Sequence, residues 1–220
     1  MKTRTRAIPA TILLAALSLP GCFSLSRESP PRQHYVLGSA LPAQETAPLP
    51  IDAGVVGLRA PALADYLATP FLVVRRGNHR IEFDEFHRWG EDLPRGFSRT
   101  LASHLGSRMP AHRVIVVPWP TGTHPEHLVQ VQLLRFEGVA PDGAQGGRGS
   151  AHLIATWEIL GSAGAVVLAR GTTEVVDDGW VVGDFDALVR MLDAGIGTLA
   201  EDIAIALERV RGTAAPADLR

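Results

Sequence analysis

Two periods of hydrophobic spacing divide this chain and decide what it can fold into. In "HLVQVQLLRFEG" apolar residues alternate through Val129, Val131 and Leu133 and, beyond a slip at Leu134, Phe136. A period of two is that of a strand with one buried face. In "LPRGFSRTLASHLGSRM" the period is four, and Leu93, Phe97, Leu101, Leu105 and Met109 share one helical face. Pro94 sits in the first turn, where its missing N–H costs nothing, and Pro110 ends the helix.

The remaining segments follow one pattern or the other. "HYVLG", "IDAGVVGL", "RVIVV", "SAHLIATWEIL" and "AVVLARGTTEVV" read as strands, the last two around a turn at Gly161 to Gly164. "FLVVRR" and "HRIEFDEF" form a hairpin about Gly77 and Asn78. Asp177 and Asp178 before Gly179 read as turn chemistry. Asp184 is the expected N-cap of a last helix whose stripe is Leu188, Leu192, Leu199, Ile203 and Leu207. Gly195 and Gly197 each cost that helix about 1 kcal/mol, which close packing on the sheet or a neighbour would explain. The order strands, helix, strands, helix, with few crossover units, predicts an α+β domain. Its sheet is expected to be largely antiparallel, with the two main helices packed on one face. The other face is left exposed or available to a homo-oligomer.

Lys and Arg number 21 against 23 Asp and Glu, a formal charge of −2, so no basic excess points to nucleic acid. The single cysteine rules out an internal disulfide framework. It stands at Cys22, behind a charged start (Lys2, Arg4, Arg6) and an apolar run from Ala7 to Leu19. That run is shorter than the roughly 20 residues a spanning helix needs, and reads as a secretory signal. Leu19, Pro20, Gly21 and Cys22 resemble a bacterial lipobox, with Pro20 where a small non-proline residue is usual. The resemblance makes Cys22 the acylated first residue of the mature chain. Phe23, rather than Asp, at the second mature position favours the outer membrane by analogy with bacterial sorting. The expected organisation is a signal peptide at 1–21 and a tether with an early strand at 22–50. The α+β domain then covers 51–210, and a disordered tail 211–220.

No spacing assembles an enzyme. His124 and His127 are three apart around Glu126, but Pro125 argues for a loop and no HExxH is present, so no metal is expected. "DGAQGGRGS" lacks the Lys-Ser/Thr ending of a phosphate loop and reads as a long hairpin. Ser98, Ser103 and Ser107 lie in a helix without a nucleophile elbow. Trp89, Trp157 and Trp180 fit packing better than a binding surface. No catalytic residue, cofactor or nucleic-acid partner is expected.

Several motifs, in order, resemble the ABC-type transport auxiliary lipoproteins, the group of paraquat-inducible protein C and its YmbA-type relatives. They are "YVLG", Pro61 with "DYL" and "FLVVRR", "HRWGEDLPRGFSRTLASHL", "VQVQLLRFEG" and "ATWEI", covering about Tyr35 to Leu207. The resemblance implies a lipoprotein facing the periplasm, docked to an MCE-domain protein of an ABC-type lipid transport complex. Its work would be binding, and Tyr66 and Leu67, between two prolines on an exposed connection, become candidate partner contacts. The alternative is an envelope-integrity or outer-membrane assembly lipoprotein without a transporter.

Overall fold

The computed structural model describes residues 30–38, 54–143 and 146–214, so the signal segment, Cys22 and most of the tether lie outside it. Among the described residues nine strands form one sheet with two α-helices, the α+β architecture read from the sequence.

Everything in the sheet is built on β7, His127–Ala140. Along one edge it pairs antiparallel with β8, Arg148–Gly161, which pairs antiparallel with β9, Val167–Val181. These are the longest ladders in the molecule. The other edge of β7 carries three short parallel strands in succession. β2 (Gly54–Leu58) lies beside His127 to Val129, β3 (Ala62–Leu63) beside Gln132 and Leu133, and β4 (Phe71–Arg76) beside Gly138 to Ala140. The chain thus advances along β7 without turning back, so these strands need no crossover helix between them.

Two limbs grow outward from that edge. β6 (His112–Val116) adds parallel to β2. β5 (Arg80–Trp89) adds antiparallel to β4, and β1 (Gln33–Tyr35) adds parallel to β5. The sheet is therefore forked. Gly77, at φ 57°, makes the turn between β4 and β5 that the Gly-Asn pair predicts.

The slip at Leu134 is a β-bulge: Leu133 opposes Ala155 and Arg135 opposes Ile154, leaving Leu134 unpaired. Val129, Val131 and Leu133 before it, and Phe136 and Ala140 after it, all enter the same core. Both helices cover that face. α1, Leu93–Arg108, sets Phe97 edge-on to Phe136 with ring centroids 6.0 Å apart. α2, Phe185–Ala214, begins where the Asp184 carboxylate accepts the Ala187 N–H at 2.9 Å, the expected cap. Gly195 brings α2 against Leu153 and Val175, and Gly197 faces His104 and Arg108 of α1. The two helix glycines thus divide the uses expected of them, one toward the sheet and one toward a neighbouring helix.

Two local expectations change. Asp177 and Asp178 lie inside β9, not in a turn, because the ladder with β8 continues to Arg148 and Val181. Asp177 accepts the Gly179 N–H at 3.0 Å within a second bulge. α2 also runs to Ala214, beyond the domain boundary expected at 210. Trp180 is fully buried over Gly138 and Gly149 and donates its indole N–H to the Asp184 carbonyl at 2.8 Å.

These contacts separate two glycine substitutions. A Cβ at Gly197 meets nothing nearer than 3.7 Å, so Gly197→Ala should raise unfolding stability by up to about 1 kcal/mol. A Cβ at Gly138 falls 2.6 Å from Trp180, so Gly138→Ala should cost about 1–3 kcal/mol. Urea denaturation of both variants reads the opposite signs.

Candidate functional site

The fork in the sheet leaves a groove of about 2140 Å³ between α1 and β6. One wall is the face of α1 turned away from its apolar stripe. Ser98, Ala102, Ser103, Gly106 and Ser107 recur there at three- and four-residue spacing, and their small side chains leave the space open. The facing wall is Val114, Val116, Val117 and Pro118. Leu63, Leu67, Pro70 and Trp89 close one end. Two of the serine hydroxyls are turned back on their own helix: Ser98 donates to the Pro94 carbonyl at 2.8 Å and Ser107 to the His104 carbonyl at 2.9 Å.

A charged cluster occupies the opposite face of the sheet. The bulge turns Arg135 and Glu137 away from the helices, and Glu137 pairs across β8 with His152. The Glu137 side chain is fully buried, and Arg75 of β4 donates to it at 2.5 and 3.3 Å. Arg135 stands 4.0 Å away. Tyr66 closes the cluster, donating its hydroxyl to the Leu134 carbonyl at 3.0 Å beneath the Arg75 guanidinium. Burial, and then Glu137, push the Tyr66 phenol up to about 12, so it is a neutral donor.

The expected contact pair Tyr66 and Leu67 separates. Asp65–Leu67 is a one-turn 3-10 helix that lays half-buried Tyr66 across β7 and turns Leu67 into the core, where 1% of it is exposed. Leu67 therefore forms wall and core, and only Tyr66 of the two keeps a substantial exposed edge. Cys22 lies outside the described residues. Sequence reading missed the groove. Its signal is the run of small residues on α1 opposite the apolar stripe, of which only Ser98, Ser103 and Ser107 were weighed, as nucleophiles.

Among the described residues no group of three or more His, Cys, Asp or Glu is gathered to hold a metal ion. His112 of β6 and His127 of β7 flank β2, and His124 stays in an exposed loop. Burial lowers the imidazole pKa of His104, His112, His127 and His152, with Arg108, Arg211 and Arg135 adding to it at His104, His112 and His152 respectively.

A family model for the ABC-type transport auxiliary lipoprotein component matches residues 35–204. The chain belongs to that family. Its fold is similar to a crystal structure of an uncharacterized protein at 18% identity and TM-score 0.62, covering 80% of this chain and 99% of the other. It is also similar to a Xanthomonas campestris protein of the DUF330 family at 13% identity and TM-score 0.58, covering 81% and 95%. No curated protein matches.

Two measurements probe the charged cluster and the histidines. Arg75→Met strands the buried Glu137 carboxylate with only Arg135 near it and should cost about 3 kcal/mol. Adding Glu137→Leu should recover most of that loss in a double-mutant cycle. The unfolded chain protonates His104, His112, His127 and His152 from about pH 6.5, before the folded chain can. Stability is therefore full above that pH and falls as pH drops below it. Urea midpoints measured from about pH 7.5 to about pH 5 should decline over that window.

Proposed function

We propose that this auxiliary lipoprotein is a membrane-anchored docking component of an envelope ABC transport system, working by binding and not by catalysis. The observation that carries this reading is a family match starting at residue 35 just behind the chain's single cysteine, in a lipobox-like context. The anchor is Cys22, acylated after removal of 1–21. A single acyl chain binds membranes only marginally, while several chains hold firmly at about 0.8 kcal/mol per buried CH₂. Phe23 favours the outer membrane, with the domain facing the periplasm.

From that position the domain would meet an MCE-domain protein that carries lipid between the membranes. Tyr66 is the exposed-edge residue proposed for that contact. The free edge of β9 supports a homo-oligomer, because among the described residues this strand pairs only with β8. Val167, Leu168 and Val176 are exposed along it. Unpaired edges accept another chain readily.

Membrane fractionation and affinity purification with mass spectrometry test the reading in one set of cells. Wild type should be acylated, sediment with membranes and recover an MCE protein or a transporter subunit. Cys22→Ala should lose the acyl mass and appear in the soluble fraction. An unacylated wild type would sink the anchor. An acylated wild type that recovers no transporter subunit would leave an envelope-integrity lipoprotein instead.

A further inference from the structure

We propose that the open edge of β6, inside the groove it forms with α1, takes up an extended acidic segment of a partner protein as an added strand. The backbone carries the argument. β6 runs parallel to β2, in register from Gly54 with His112 to Leu58 with Val116, and the Val117 N–H donates to the Leu58 carbonyl at 3.0 Å. Alternate residues of a parallel strand bond to the same neighbour, so Arg113, Ile115 and Val117 face β2. Val114 and Val116 therefore turn their N–H and C=O groups outward, where β6 has no second strand among the described residues. Both valines are half-buried and line the groove. Unpaired edge groups template another strand, and the small side chains of Ala102, Ser103 and Gly106 leave room for one beside them.

Length and charge select the occupant. β6 is five residues long, which suits a short segment. The chain's own open strand, β9, has fifteen and carries α2 over it, with Thr173 donating to Asp202 at 2.6 Å. A second copy would leave most of that strand unpaired. Arg95, Arg99 and Arg113 line the groove against Glu91 and Asp92, on a chain of formal charge −2. Glu91 is taken by Arg99 at 2.6 Å. The guanidiniums of Arg95 and Arg113 are left without an ion pair among the described residues, against Asp92 alone. Val114 and Val116 pack toward the core, so Arg113 emerges on the other face at the groove's rim. An added strand shares that pleat. Its residues over α1 are apolar, and those beside Arg113 are acidic, because a free guanidinium takes a carboxylate.

This contact is separate from the one proposed for Tyr66 and does not rest on it. The test uses the full chain purified from cells that express it. The probe is a fluorescent synthetic peptide, as long as β6, in which glutamate and valine alternate. Binding should be saturable by anisotropy and should slow hydrogen exchange over β6. Methylating the peptide's amides should abolish binding. Val116→Pro, which removes an outward N–H and none that β2 uses, should weaken it about tenfold. Arg113→Glu should weaken the glutamate peptide about tenfold and favour one with lysine in its place. Urea midpoints check that both variants fold, and the methylated peptide reads the same backbone bonds on the wild-type chain. No binding, equal binding of the glutamate and lysine peptides, or binding that survives methylation would overturn the proposal. So would a photo-crosslinking amino acid placed at Ser103 that joins, in cells, only a second copy of this chain. Membrane fractionation and transporter recovery do not depend on this edge, so its failure is told apart from failure of the docking reading.

Discussion

The bulge at Leu134 decides which side chains of the rest of β7 face the helices. Side chains alternate along a strand, so a one-residue insertion exchanges the faces of all that follows. With it, Phe136 and Ala140 join Val129, Val131 and Leu133 under the helices. Without the bulge, strict alternation through Leu134 would point Arg135 and Glu137 into that apolar layer, where an unpaired charge costs several kcal/mol. The insertion leaves a backbone carbonyl free at Leu134, and the Tyr66 hydroxyl takes it. The short 3-10 turn that carries Tyr66 is thus tied to the bulge, and the bulge to the charged pair Arg75 and Glu137 beside it.

The fork follows from the same strand. β7 is long enough to serve β2, β3 and β4 one after another, and the limbs begun by β2 and β4 extend apart. A helix laid over a continuous sheet would find no room beneath its outer face. Over a forked sheet, α1 keeps Phe97, Leu101 and Leu105 in the core and leaves its small-residue face lining open space.

Much of this was legible because it is local. The period-four stripes locate α1 and α2, the cap at Asp184 is met by its own bond, and the slip at Leu134 marks the bulge. The fork was not legible, because it depends on which strands share an edge of β7, and pairing between distant segments leaves no trace in either segment's spacing. The same holds for Leu67: a Pro-bounded stretch signals a connection, but not that one turn of 3-10 helix folds its leucine inward. Asp177 and Asp178 misled for the converse reason. Their local chemistry is that of a turn, and the long ladder with β8 absorbs it as a bulge.

The fork also bears on force. A domain held through its N-terminus takes any tension first at β1, whose ladder to β5 has three residue pairs, Gln33 with His87 to Tyr35 with Trp89. Three further ties back it up: the Gly90 N–H to the Tyr35 carbonyl at 2.7 Å, the Arg99 guanidinium to the Leu37 carbonyl at 2.8 Å and the Gly38 N–H to Asp193 at 2.8 Å. β1 sits at the tip of the limb opposite the one that carries β6. A pull from the N-terminal side would load this strand before it strained β7, and through Gly90 and Arg99, which line the groove, it would reach the α1 end of the groove first.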